Sequence, residues 1–101
     1  MDTFEPITIE RTKQLIAKGG ITLADIRDKE SFESGHIEGA QHLTNENLQD
    51  FIYGSNLDQP LIIYCYHGHS SQVAAQFMLE QGFDEVYSLT GGYAAWTNQN
   101  Q

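Results

Sequence analysis

The stretch Leu61-Ile62-Ile63-Tyr64-Cys65-Tyr66-His67-Gly68-His69-Ser70-Ser71 decides the fold. Behind Pro60, Leu61 to Ile63 are continuously apolar, the pattern of a parallel strand covered on both faces. The run ends at Cys65, a six-residue polar loop with one glycine follows, and two serines open a helical pattern that continues to about Gln81. Strand, loop and helix in that order form the unit of an open α/β sheet. Ligands gather there at the carboxyl ends of strands, under the free N–H groups of the next helix. Cys65 stands at that place, and the layout is that of an activated nucleophile.

Downstream, Val73 stacks on Phe77 and Ala74 on Met78 at i, i+4, which predicts that this face of the helix lies on the sheet. Gly82 ends the helix, and Phe83 just beyond it is placed to pack on Met78, the hydrophobic contact of a Schellman stop. Val86 to Leu89 reads as the last strand. Thr90-Gly91-Gly92 then turns into a closing helix bearing Tyr93 and Trp96, before the polar tail Thr97 to Gln101.

Upstream, Phe4 to Ile7 reads as a short strand that Pro6 confines to an edge or an early position. Thr8 predicts an N-cap for a helix burying Leu15 and Ile16 and stopped at Gly19-Gly20. Ile21 to Ile26 is a strand, Asp28 the N-cap of a short helix carrying Phe32, and Gly35 its stop. A short extended piece near Ala40 to Leu43 follows. Thr44 or Asn45 is expected to cap the next helix, whose Leu48, Phe51 and Ile52 share one face and which ends near Gly54. Five strands and about five helices fit a three-layer α/β domain: a five-stranded, mainly parallel sheet flanked by helices, one domain over residues 1–101.

Bulk properties narrow the function. At 101 residues and a formal charge of -9, the chain repels nucleic acid and anionic membranes, and none of its five Lys and Arg lies beyond Lys29. No apolar run approaches the roughly 20 residues that cross a bilayer, so no membrane partner is expected. One cysteine allows no internal disulfide, and the acidic start Met1-Asp2-Thr3-Phe4-Glu5 does not read as a secretory segment. A reducing cytoplasm is the expected home.

A free thiol has a pKa near 8.5, and a helix N-terminus lowers it to about 3.5–7.5. Against the reading of Cys65 as a small core hydrophobe stand Gly68, which allows an unusual backbone angle, and the serines at the helix start. Together they describe an anion cradle.

Three segments carry a family resemblance: Asp25-Ile26-Arg27 with Phe32 and Gly35-His36-Ile37-Glu38-Gly39-Ala40, the loop Cys65 to Ser71, and Thr90-Gly91-Gly92-Tyr93-Ala94-Ala95-Trp96. In this order they resemble the opening signature, six-residue active-site loop and closing signature of the rhodanese superfamily, in particular its small single-domain thiosulfate sulfurtransferases. The resemblance implies a parallel five-stranded sheet and a ping-pong reaction. Cys65 would take the outer sulfur of thiosulfate as a persulfide and pass it to cyanide or a thiol such as that of thioredoxin. Tyr66, His67, Gly68, His69, Ser70 and Ser71 would form the substrate-binding loop.

The residues support this chemistry in one respect and strain it in another. Without a second cysteine nothing in the chain resolves a persulfide, so the sulfur must leave to an outside acceptor. Many rhodaneses, however, place arginines beside the cysteine and at the loop's last position, where this chain has Tyr66 and Ser70. Thiosulfate would then be held by amides, the helix end and the Ser70 and Ser71 hydroxyls, with His67 and His69 helping only when protonated. Weak thiosulfate binding is the expectation.

The neighbouring residues carry quieter readings. His67 and His69 are solvated loop residues, and with no further cysteine or carboxylate at ligand spacing no metal or cofactor is implied. Asp25 and Arg27 form an ion pair or backbone anchor at a strand end, the resemblance leaving Arg27 a role near the pocket. His36 is a hydrogen-bonded framework residue, and Tyr93 and Trp96 are core or rim. Two alternatives differ in class. Phosphatase or arsenate chemistry needs an arginine six positions after the nucleophile, and that position is Ser71. A non-catalytic module that binds a protein partner has no need of a thiol at the pocket floor.

Overall fold

Local signals start and stop the helices where single residues ask for it. The structure, a computed structural model, describes residues 1–99. Thr8 Oγ1 accepts the Arg11 N–H at 3.1 Å and begins α1 (Ile9–Lys18), after the short strand β1 (Glu5–Ile7). Asp28 likewise caps α2 (Lys29–Ser34), between β2 (Thr22–Asp25) and β3 (Gln41–His42). α3 (Leu48–Gly54) leads to β4 (Leu61–Tyr64), α4 (Ser70–Glu80), β5 (Val86–Leu89) and α5 (Gly92–Gln99). The predicted Schellman stop is present: the Phe83 N–H donates to Met78 O at 3.4 Å and the Gly82 N–H to Leu79 O at 3.1 Å. Of the polar tail, Thr97 and Asn98 belong to α5, whereas Asn100 and Gln101 lie outside the described residues.

All five strands are parallel, in the order β1-β5-β4-β2-β3. The central strand β4 is buried along its whole length and divides its side chains by strict alternation. Leu61 and Ile63 join Ala24, Val86, Phe51, Met78 and Phe83 on the face covered by α3 and α4. Ile62 and Tyr64 join Leu23 and Leu89 on the other face, packed by Leu15 and Ile16 of α1 and Tyr93 and Trp96 of α5. Helices on both faces make the three layers that the continuous apolar run predicts, and Pro6 lies on the edge strand β1.

Two expectations are corrected. α4 does not lay Val73 and Phe77 on the sheet: they are 76% and 41% exposed, and the buried stripe is Ser71, Ala75 and Met78. The i, i+4 spacing of Val73 and Phe77 is real, but it does not say which stripe faces inward; the one with the small residues lets the helix approach the strands closely. Nor do Thr44 or Asn45 cap α3. Its N-cap is Asn47, and Thr44 instead pairs with Asn47 in a turn, each backbone N–H donating to the other's side chain at 2.8 and 3.2 Å.

Candidate active site

β2 and β4 are hydrogen-bonded neighbours, yet their chains leave in opposite directions: α2 leads to the edge strand β3, and α4 leads to β5 on the other side. That divergence opens a crevice at the carboxyl ends of the strands. The Ile26 N–H donates to Tyr64 O at 3.1 Å and keeps the two exits together. Between them lies a cavity of about 220 Å³, lined by Ile26, Arg27 and Asp28 from one exit and Cys65, Tyr66, His67, His69 and Ser70 from the other.

Cys65 forms the floor, 7% exposed. The N–H groups of Gly68 and Ser71 each donate to its sulfur at 3.3 Å, and the Ser71 hydroxyl lies 3.3 Å from the same atom. α4 has no side-chain cap of its own, so the sulfur fills the place of one, facing the positive end of the helix. Burial pushes the thiol's pKa up, but the Ser71 hydroxyl and the amides of Ser71, Gly68 and His67 outweigh it and bring the group below its ordinary value. The result is a thiol poised to become a thiolate on amides and a hydroxyl, with no cation supplied by its own loop.

The amides converge because the loop's carbonyls are held from behind. The Tyr93 N–H donates to Cys65 O at 2.8 Å and the Ala94 N–H to Tyr66 O at 3.0 Å, so the start of α5 takes up two loop carbonyls. Gly92 makes this approach possible: a Cβ there would lie 2.6 Å from Cys65 O and 2.5 Å from Tyr66 O. Gly68, at φ +93, turns the loop where a Cβ would meet the Gly91 nitrogen at 2.9 Å.

Arg27 borders the same cavity as the one Lys or Arg among its lining residues. The loop lacks a fixed cation, as the sequence implies, but the crevice does not. This cation is engaged: its side chain donates to both Asp25 carboxylate oxygens, at 2.7 Å to Oδ2 from Nη2, and to Gly35 O at 2.6 Å. It also stacks 4.0 Å from the centre of the Tyr93 ring. Burial works against its charge, but the bonds and charge of Asp25 prevail and its pKa is raised.

The structure brings Cys65, Gly68 and Ser71 together in the buried floor and leaves Tyr66, His67, His69 and Ser70 exposed around it. Tyr66 reaches sideways, its hydroxyl on that of Ser31 in α2. His36 is a framework residue, hydrogen-bonded through Nδ1 to Phe32 O at 2.8 Å and stacked on the Phe32 ring. Beside the mouth runs a wider groove of about 1210 Å³, bounded by the exposed Val73 and Phe77 and sharing Ile26, Arg27, Asp28 and Ser70 with the cavity. Two contributors escaped the sequence reading. Gly92 reads as part of a turn and of the closing signature, with no role at the loop, and Ser88, whose hydroxyl lies 2.7 Å from that of Ser71, carries no signal at all.

A sulfur seated on backbone amides at the switch point of a five-stranded parallel sheet defines a class, and the chain belongs to it: residues 8–99 match the rhodanese-like domain family. Among its relatives, a protein of Shewanella oneidensis named thiosulfate sulfurtransferase GlpE is 48% identical over 100 residues, covering 99% of each chain. A second protein of that name, from Pseudoalteromonas translucida, is 48% identical over 92% of this chain and 89% of its own. The fold recurs in the crystal structure of a rhodanese-like domain protein from Staphylococcus aureus, with a TM-score of 0.80 at 21% identity over 92% and 91% of the two chains.

Proposed function

We propose that Cys65 is the sulfur carrier of a thiosulfate sulfurtransferase acting as one domain over residues 1–101. The Cys65 thiolate attacks the outer sulfur of thiosulfate, a new S–S bond forms, the old one breaks, and sulfite leaves with the bonding pair. The persulfide then hands its outer sulfur to cyanide or to a thiol such as that of thioredoxin, and the thiolate returns. As a rhodanese 48% identical to two thiosulfate sulfurtransferases over 99% and 92% of its length, the protein moves sulfur from thiosulfate. The observation that carries the assignment to Cys65 is the pair of amides donating to its sulfur at 3.3 Å. The same amides suit an outer persulfide sulfur, which bears the charge after transfer.

With one cysteine in the chain, the acceptor comes from outside. A free reactive thiol suits a reducing compartment such as the cytoplasm. The anion is met by the loop amides, the α4 terminus and the Ser70 hydroxyl, while the charge of Arg27 is already matched by Asp25. Binding of thiosulfate is therefore weak, with a Michaelis constant above the micromolar range.

The deciding measurement is intact mass after mixing the protein with thiosulfate. A gain of about 32 Da, one sulfur atom, is expected, lost on adding cyanide and never gained by Cys65→Ser. Transfer activity surviving in Cys65→Ser would overturn the mechanism.

A further inference from the structure

Ser88 lies within β5 between Tyr87 and Leu89, 2% exposed, where a buried strand ordinarily carries a branched apolar residue. It belongs to no part of the loop, and β5 is reached only after all of α4. Its hydroxyl sits 2.7 Å from the hydroxyl of Ser71, which is itself fully buried on the sheet-facing stripe of α4 and 3.3 Å from Cys65 Sγ. A line of three side chains thus runs from the sheet to the sulfur.

We propose that Ser88 is a positioning residue for the sulfur: by donating its proton to Ser71 Oγ, it leaves the Ser71 proton aimed at Cys65 Sγ. The inference rests on Cys65 being the carrier. A serine hydroxyl has one proton and two lone pairs, and near a helix start it readily turns back to bond a carbonyl three or four residues earlier. For Ser71 those carbonyls belong to Gly68 and His67, and Gly68 O already accepts from Gln72 Nε2 at 2.8 Å. With Ser88 donating into its oxygen, Ser71 is tied to the sheet side, and a hydroxyl that accepts a hydrogen bond is a stronger donor in turn. The negative charge on Sγ before attack is where that donor acts.

The test is the pH dependence of alkylation of the full chain by iodoacetamide, which reads the thiolate directly and needs no sulfur donor. In Ser88→Ala the midpoint rises by about half a unit, and in Ser88→Thr, which keeps the hydroxyl, it returns close to that of the unaltered protein. Ser88→Val has the shape of Thr without the hydroxyl and suits a strand, so it must show the raised midpoint if Ser88→Ala does not fold. Ser71→Ala raises the midpoint further, and Ser71→Ala with Ser88→Ala raises it no more than Ser71→Ala alone, because Ser88 acts through Ser71. The other ionisable residues around the cavity, Arg27, Asp28, Tyr66, His67 and His69, are common to all these variants. An unchanged midpoint in both Ser88→Ala and Ser88→Val, or shifts that add in the double variant, would overturn the proposal. A missing mass gain with thiosulfate, alongside these alkylation shifts, would instead overturn Cys65 as the carrier and leave the Ser88 link standing.

Discussion

Two strand-to-helix junctions stand side by side at the same end of the sheet and treat a buried acidic group in opposite ways. After β2, the Asp25 carboxylate is gripped by Arg27, whose side chain is 2% exposed, and the Arg27 N–H donates to it as well at 2.8 Å. The following helix is capped by a carboxylate of its own, Asp28. After β4, the Cys65 sulfur has no bonded cation and α4 has no side-chain cap; two amides and one hydroxyl serve both needs. The difference teaches what each group is for. Nucleophilicity falls as a thiol's pKa falls, so a cation locked onto Cys65 would make the thiolate abundant and sluggish. Amides lower the pKa while leaving the charge free to move to an outer sulfur, as the proposed transfer requires. One junction is a clamp, the other a socket.

Breaking the clamp has the largest expected effect. Arg27→Met leaves the Asp25 carboxylate buried without its cation and costs about 3–5 kcal/mol of stability, read from urea unfolding. A loss below about 1 kcal/mol would make the pair dispensable and erase the contrast between the junctions. Deforming the socket comes next. Gly92→Ala puts a Cβ 2.5 Å from Tyr66 O at φ +62 and costs about 1–3 kcal/mol, concentrated in the loop. Its signature is an alkylation midpoint that climbs back towards that of an ordinary thiol; an unmoved midpoint would mean that α5 does not set the amide directions. Giving the socket a cation is the smallest change. Ser70→Arg should lower the Michaelis constant for thiosulfate about fivefold, or about 1 kcal/mol. A constant that stays put would show that amides alone determine how the anion binds.

Most of the clamp and socket is written locally. Thr8, Asp28 and the Gly82-Phe83 stop are read from neighbours within one helical turn, and each lies where the sequence puts it. The sequence of β4 announces a strand covered on both faces, and the residues after Cys65 announce a helix start. What the sequence withholds is orientation and long-range pairing. Val73 and Phe77 form a genuine apolar stripe, but the closer-packing stripe through Ser71 and Ala75 took the sheet. Asn47 stands at the N-cap of α3 in place of Thr44 and Asn45, and its side chain makes no cap bond but ties the preceding turn together, accepting the Thr44 N–H and donating to His42 O at 2.8 Å. Ser88 is 17 positions from its partner, and a lone serine in a strand gives no hint of what it faces.

The two hydrogen bonds by which α5 holds the backs of Cys65 and Tyr66 have a consequence in time. A ribosome delivers Cys65 well before it delivers the helix that holds the back of its loop, and domains fold as units once their segments have emerged. The carbonyls of Cys65 and Tyr66 gain their donors from Tyr93 and Ala94 only with the closing helix, so the shape of the loop is among the last parts of the domain to be completed.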